Sequence, residues 1–323
     1  VPYIIGTDEA GYGPNLGPLV VAATVWEVPL GVRADDLYER LAPTVCPNTK
    51  PPAAQAAAPL VICDSKQAYH SGQGLKHLER GVWAALRAMD QMPRCWSELW
   101  ETLAPDCLAA MFSEPWYSEF DSPLPIDLER AEAERLGRSF HQALAEADVE
   151  LIDVVCRPVF PKEFNSLLSC FRSKADLLSN VTLQLVRGVI RRLGGQPISI
   201  VCDKHGGRSR YLPLLNGFFS DCPVEVRHET RQQSVYRFKL AGDRVEVRFC
   251  KRAESYLPVA MASMVAKYLR ELAMLAWNEF WCDRLPDLKP TAGYPNDARR
   301  FKEAIAGAQA ELQIDDCLIW RNK

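Results

Sequence analysis

Five carboxylates stand where apolar runs end or helices open: Asp8, Glu9, Asp64, Asp203 and Glu254. Asp8 and Glu9 close the apolar run that begins at Ile4, and glycines follow at positions 11, 13 and 17. Asp203 closes the run that begins at Ile198 and is followed by Lys204, His205, Gly206 and Gly207. The same device, an acid at a strand end with glycines beyond, therefore occurs twice. Carboxylates at strand ends of one sheet gather on one edge, where open α/β sheets bind ligands. Crowded acids repel one another unless cations neutralise them. Hard divalent cations such as Mg²⁺ or Mn²⁺ take oxygen ligands. Two such ions about 4 Å apart can activate water and stabilise the leaving oxygen in phosphodiester hydrolysis. A lone strand-end aspartate is ordinarily a surface residue; the recurrence is what favours a metal site.

The elements that must position these acids follow from periodicity. Residues 4–26 read as strand, tight loop, strand. Asp8 and Glu9 would face opposite sides of the first strand. They reach one site only if the backbone turns there, and Ala10, Gly11, Tyr12 and Gly13 permit a turn. The other reading is a solvated hairpin end. A short apolar run at 60–63 breaks at Asp64 and Ser65, which can cap a helix. Leu75, Leu78, Val82, Ala85, Leu86 and Met89 give that helix its buried stripe. A helix over 128–147 and a strand over 149–160, broken by Pro158 and Pro161, come next. The helix over 175–193 contains Gly188, which costs about 1 kcal/mol relative to alanine and so predicts close packing there. Residues 198–203 read as a buried strand, and 224–250 as alternating strands with a hairpin turn at 241–243. A helix begins near Pro258. Met261, Met264, Val265, Tyr268, Leu269, Leu272 and Leu275 lie on one face, with Ser263, Lys267 and Arg270 on the other. A last helix covers 297–312. The fold class is α/β.

Residues 91–125 hold Trp96, Trp100, Phe112, Trp116, Tyr117 and Phe120 without clean periodicity. They predict an insertion packed on the main domain, because tryptophans are mostly buried; a stacking surface for bases is the alternative. The stretch 46–59 is a loop rich in proline and alanine. With 323 residues, the chain is one large domain or two smaller ones. Its net charge of -3 means that any nucleic-acid contact must come from a local basic face. Residues 227–252 carry eight lysines and arginines against three acids, which suits a nucleic-acid patch or a solvated hairpin face equally. The eleven cysteines are odd in number and lack zinc-knuckle spacing, predicting reduced thiols. No signal-like start and no apolar span of membrane length are present, so the expectation is a cytoplasmic protein without a membrane partner.

The stretch GTDEAGYGPNLGPLVVAA resembles the signature of type 2 ribonucleases H, the ribonuclease HII and HIII group. There, Asp-Glu and a small residue lead into glycines flanking an arginine or lysine, then Gly-Pro and an apolar run. Asp64-Ser65-Lys66 resembles the family's Asp-Ser-Lys at a helix start. Phe164-Asn165 resembles its element after the middle strand, and Asp203 falls at its third acid. ESYLPVAMASMVAK, residues 254–267, is similar to the stretch carrying the fourth acid, and Tyr294 sits near a family tyrosine. These matches run in family order from end to end.

The resemblance implies a ribonuclease H-like fold: a mixed five-stranded sheet flanked by helices, with a C-terminal helical portion. It implies one domain over 1–323 with insertions at about 46–59 and 91–147. The implied activity is hydrolysis of the RNA strand of RNA–DNA hybrids by a monomer, leaving 3′-hydroxyl and 5′-phosphate ends. Asp8, Glu9, Asp203 and Glu254 would hold two Mg²⁺ or Mn²⁺ ions; glutamate as the fourth acid is the ribonuclease HIII habit. The backbone of Gly11, Tyr12 and Gly13 would meet a ribose 2′-hydroxyl, which separates RNA from DNA. Lys66 would contact phosphate, Tyr294 would stack near the RNA–DNA junction, and Asn165, Ser255 and Lys267 complete the implied substrate contacts. Two positions depart from the pattern. Tyr12 replaces the cation between the glycines, and Tyr256 replaces a lysine. They motivate a second reading, a nuclease acting on structured DNA or RNA. A third, a binding protein without catalysis, conflicts with retention of four acids that would face phosphate.

Overall fold

The computed structural model describes residues 2–48, 58–69 and 74–322. Most of the proline- and alanine-rich loop, residues 49–57, lies outside them. The opening apolar runs form β1, Tyr3–Ala10, and β2, Leu19–Glu27. Two-residue strands β3, Val45–Cys46, and β4, Leu60–Val61, pair in parallel as a small separate sheet. The remaining strands are β5, Glu150–Val159; β6, Ile198–Asp203; β7, Glu225–Glu229; β8, Gln233–Leu240; and β9, Asp243–Cys250.

The main sheet is mixed and runs β5-β2-β1-β6-β9-β8-β7. It has seven strands, two more than the five implied by the resemblance. One addition is the mostly exposed β7, which pairs antiparallel to β8 at the edge. The centre is parallel, β1 with β6 and β6 with β9, so their C-terminal ends share one edge. Pro158 does not break its strand. It pairs opposite Val20 at the other edge of the sheet, where a missing N–H is tolerated.

One face of the sheet carries α1, Ser65–Ala68; α2, Lys76–Ala88; α3, Arg130–Glu146; and the long α4, Leu257–Arg284. The opposite face is packed by the helix Lys174–Arg192 and the short helix Leu212–Phe218. Alternation along β1 sorts the two layers: Ile4 joins the cluster under α4, and Ile5 joins the other. The α4 helix is buried almost all round in its first five turns, so Ser263 and Arg270 are as buried as the apolar stripe. Leu275, expected in that stripe, is 39% exposed.

The aromatic insertion packs inward. Trp96, Trp100, Trp116, Tyr117 and Phe120 are buried, with Trp116 lying 4.3 Å from Trp277 of α4; only Phe112 of that set is exposed. The insertion widens the core and offers no stacking platform. Gly188 corrects the expectation of close packing, since a methyl group added there would meet nothing within 4 Å. All eleven cysteines are free. Among the described residues no helix is long and apolar enough to cross a membrane.

Candidate active site

The candidate site lies where β1 and β6 end. The backbone does not turn between Asp8 and Glu9. Pairing with β2 continues through Asp8, Glu9 and Ala10, opposite Ala22, Val21 and Val20. Pairing with β6, however, stops at Thr7. Beyond that point the sheet has an open edge. Asp8, on the α4 face, and Glu9, on the other, can therefore both address the space beyond β6, which the strand alternation alone seemed to forbid.

Four carboxylates from three segments share that space. Burial and the neighbouring charges of Glu9 and Glu254 hold the Asp8 carboxyl well above its ordinary range. Glu9 is pushed up to about 7 by burial and by Asp203, with Lys66 working against the shift. Burial also raises Asp203, although backbone N–H groups including that of Ala253 oppose the rise. Glu254 is raised by burial and then by Asp203 and Asp64. Like charges that perturb one another this way form one electrostatic unit.

Specific contacts build the arrangement. Ala253 N–H donates to Asp203 Oδ1 at 3.2 Å, tying the end of β6 to the turn Ala253–Ser255 that carries Glu254. Arg252 enters that turn at φ 60°, and Ser255 projects exposed from it. The start of α4 is seated by Gly6. A Cβ there would stand 2.3 Å from the backbone carbon of Pro258, so only glycine admits the helix this close. The Thr24 hydroxyl donates to Pro258 O at 2.8 Å and fixes the same contact. Ser263 and Ser65 hydroxyls, 3.0 Å apart, join α4 to α1 beside Asp8.

Lys66 is the cation of the cluster. Burial alone would lower its pKa, yet Asp64, Glu254, Asp8 and Glu9 together outweigh burial and raise it above the usual lysine value. Asp64 caps α1 as expected, its carboxylate accepting from Lys66 N–H at 2.9 Å. Lys267 is engaged elsewhere, bonded to Glu271 at 2.6 Å and lying over the Tyr69 ring. His205, two residues after Asp203, is buried. Burial and Arg208 push it down to about 3, and its ring pairs with Ser179 at 3.0 Å.

The glycine loop is clamped from the far end of the chain. Gly11 has φ 86°, and a Cβ there would strike Arg270 and Pro18 O. Arg321, fully buried, donates to Gly11 O at 2.7 Å and to Pro14 O. Asn15 exchanges bonds of 2.8 Å with the Arg321 backbone. Asn165, expected to touch substrate, instead holds this clamp: it donates to Trp320 O and accepts from Asn322 N–H, both at 2.7 Å. Its amide is spent within the protein, at the base of the loop. Sequence reading missed the parts played by Gly6 and Arg321: Gly6 opens the quoted motif, but nothing along the strand shows the helix it admits, and a lone arginine carries no spacing signal.

Tyr12 is half-buried and packs on the apolar cluster around Leu19 and Phe164. Its hydroxyl lies 3.7 Å from where a Gly206 Cβ would stand, so the glycine turns after Glu9 and Asp203 meet. Tyr294 is 54% exposed and flanks Gly13, 3.7 Å from the position a Cβ would take there.

The donor set suits a hard divalent cation: four carboxylates, no thiolate, no imidazole. The side chains are gathered without being closed into a cage, and no group of three or more His, Cys, Asp or Glu among the described residues is poised to hold a metal.

No protein-family model matches the chain, and no curated protein matches it. Among solved structures it is similar to the ribonuclease HII of Archaeoglobus fulgidus, solved in complex with PCNA, and to ribonuclease H2 of Pyrococcus horikoshii OT3. Each has 16% identity and a TM-score of 0.42, over 98% of this chain and 92% of that one. Bst-RNase HIII in complex with Mn²⁺ also has 16% identity and a TM-score of 0.42, over 99% of this chain and 65% of the other. These are ribonucleases HII and HIII, the group whose opening motif this chain resembles.

Proposed function

We propose that this chain is a metal-dependent endonuclease that hydrolyses the RNA strand of RNA–DNA hybrids. The observation that supports this best is the convergence of Asp8, Glu9, Asp203 and Glu254 beside a clamped glycine loop; burial raises the proton affinity of all four, and neighbouring acids add to it at Asp8, Glu9 and Glu254. These four acids would hold two Mg²⁺ or Mn²⁺ ions, which when bound would activate water and stabilise the departing oxygen.

The chain's own groups do the rest. Lys66, held among the acids, balances their charge before substrate arrives and lies at the entry of a phosphate. Gly11, Tyr12 and Gly13 present backbone to a ribose 2′-hydroxyl. Arg321 keeps that backbone in place by holding its carbonyls from inside. Tyr294, exposed beside Gly13, supplies an aromatic face to the nucleotide next to the one being read. Ser255 projects on the other side of Glu254. Tyr12 acts through packing, so the recognition does not depend on a cation between the glycines.

The test is cleavage of end-labelled RNA–DNA hybrid, single-ribonucleotide duplex, double-stranded RNA and all-DNA duplex, with Mg²⁺ and then Mn²⁺. The proposal expects cleavage confined to the RNA strand of the first two. Equal cutting of all-DNA and hybrid duplexes would favour a nuclease with another substrate. Tight hybrid binding without cleavage in either metal would favour a binding protein.

A further inference from the structure

A second concave site lies at the other end of the same sheet. It is a cavity of about 690 Å³ where β1 and β6 begin and the β8–β9 hairpin turns back. That volume is in the range of small-molecule sites. Its walls include Val32, Pro197 and Pro223, rigid apolar surfaces suited to a flat ring. Five cations line it, Arg33, Arg237, Lys239, Arg244 and Arg248, against two acids, Glu225 and Glu246. Both acids are engaged: Glu246 accepts from Arg237 at 2.7 Å, and Glu225 from Arg227 at 2.5 Å.

Two features of the lining are unfavourable as they stand. Arg248 is 5% exposed, and its Nε is buried with no acceptor. Asp35 takes one terminal nitrogen at 3.2 Å, while the nearest Glu246 oxygen stands 3.8 Å from Nε, beyond hydrogen-bond reach. A buried donor left unmade costs about 1–3 kcal/mol. Lys239 and Arg244 are directly opposite each other in the hairpin. Like charges so placed destabilise a sheet, and neither makes an ion pair among the described residues. Alternation along β9 puts Arg244, Glu246 and Arg248 on one face, so the cations and the buried guanidinium look into the same space.

We propose that this cavity binds a small organic phosphate, a nucleoside monophosphate being the class that matches it. The phosphate would sit between Lys239 and Arg244, with Arg248 behind them adding its charge, and the ring against Val32 and the two prolines.

The experiment is calorimetric titration of the full chain with adenosine monophosphate in a chelator, with inorganic phosphate and adenosine as separate arms. The same titration is run on the double variant Lys239→Gln/Arg244→Gln and on Asp203→Asn. Both lysine and arginine are solvent-exposed, so the double variant is expected to keep its melting temperature; Arg244→Lys serves as the charge-keeping control. Saturable one-to-one binding is expected. It should weaken about tenfold or more in the double variant and stay within about twofold in Asp203→Asn and Arg244→Lys. Phosphate and adenosine should each bind at least about tenfold more weakly than the intact nucleotide. Absence of saturable binding up to about 5 mM would overturn the proposal. So would phosphate binding as well as the nucleotide, or a double variant that binds like the wild type. Loss of hybrid affinity in the double variant without any nucleotide binding would reassign the face to nucleic acid.

Discussion

The two ends of the seven-stranded sheet solve opposite electrostatic problems with different parts. At one end, Asp8, Glu9, Asp203 and Glu254 crowd negative charge that Lys66 partly offsets. At the other, Arg237, Lys239, Arg244 and Arg248 gather positive charge around a recess. The acidic end is held by backbone: Asp203 accepting from Ala253 N–H, Gly6 admitting Pro258, and Arg321 bonded to the carbonyls of the glycine loop. The basic end is held by side-chain alternation in a hairpin. Crowded charge on a backbone-fixed frame suits chemistry that needs fixed geometry, whereas a hairpin face suits reversible binding. In both places the unfavourable charge is itself the pointer to a ligand, a cation at one end and an anion at the other.

The comparison breaks most severely at Gly6. Gly6→Ala forces a methyl group into the Pro258 backbone and should destabilise the protein by about 3 kcal/mol or more, read as a shift in the urea midpoint. Hybrid cleavage should fall with it, since the same contact seats the helix behind Glu254. A variant as stable as the wild type would mean that the start of α4 is not fixed by this approach. Arg321→Met is the finer probe. It removes the bonds to Gly11 O and Pro14 O, and with them the guanidinium 4.9 Å over the Phe164 ring, while keeping an unbranched apolar stem. Loosened ribose recognition should raise KM for hybrid about tenfold and narrow the preference for hybrid over all-DNA duplex, with kcat less affected. A loss of kcat alone would place the arginine's influence on the acids instead of the loop.

Much of the acidic end was legible in the sequence, because strand-end acids followed by glycines are a local signal. Asp8, Glu9 and Asp203 were found that way, and Asp64 was correctly read as a helix cap. What failed was the inference that both acids reach one site only if the backbone turns beside them: β1 runs on to Ala10, and the early stop of its pairing with β6 is a property of a neighbour that cannot be read along one strand. Asn165 failed for a similar reason: its partners are Trp320 and Asn322, more than 150 residues away. The aromatic insertion was read correctly as packing, because tryptophan burial is a property of the residue itself. The basic excess over 227–252 was visible, yet its division between hairpin faces appeared only with the Lys239–Arg244 register.

The central claim is that the four acids act together on the RNA strand. It is tested most directly by Asp8→Asn, which keeps shape and removes one carboxylate. The account predicts that the variant folds with unchanged or higher stability, because repulsion is relieved, and that its single-turnover cleavage of hybrid in Mg²⁺ falls by about a thousandfold or more. A folded Asp8→Asn protein that cuts hybrid at the wild-type rate would contradict it.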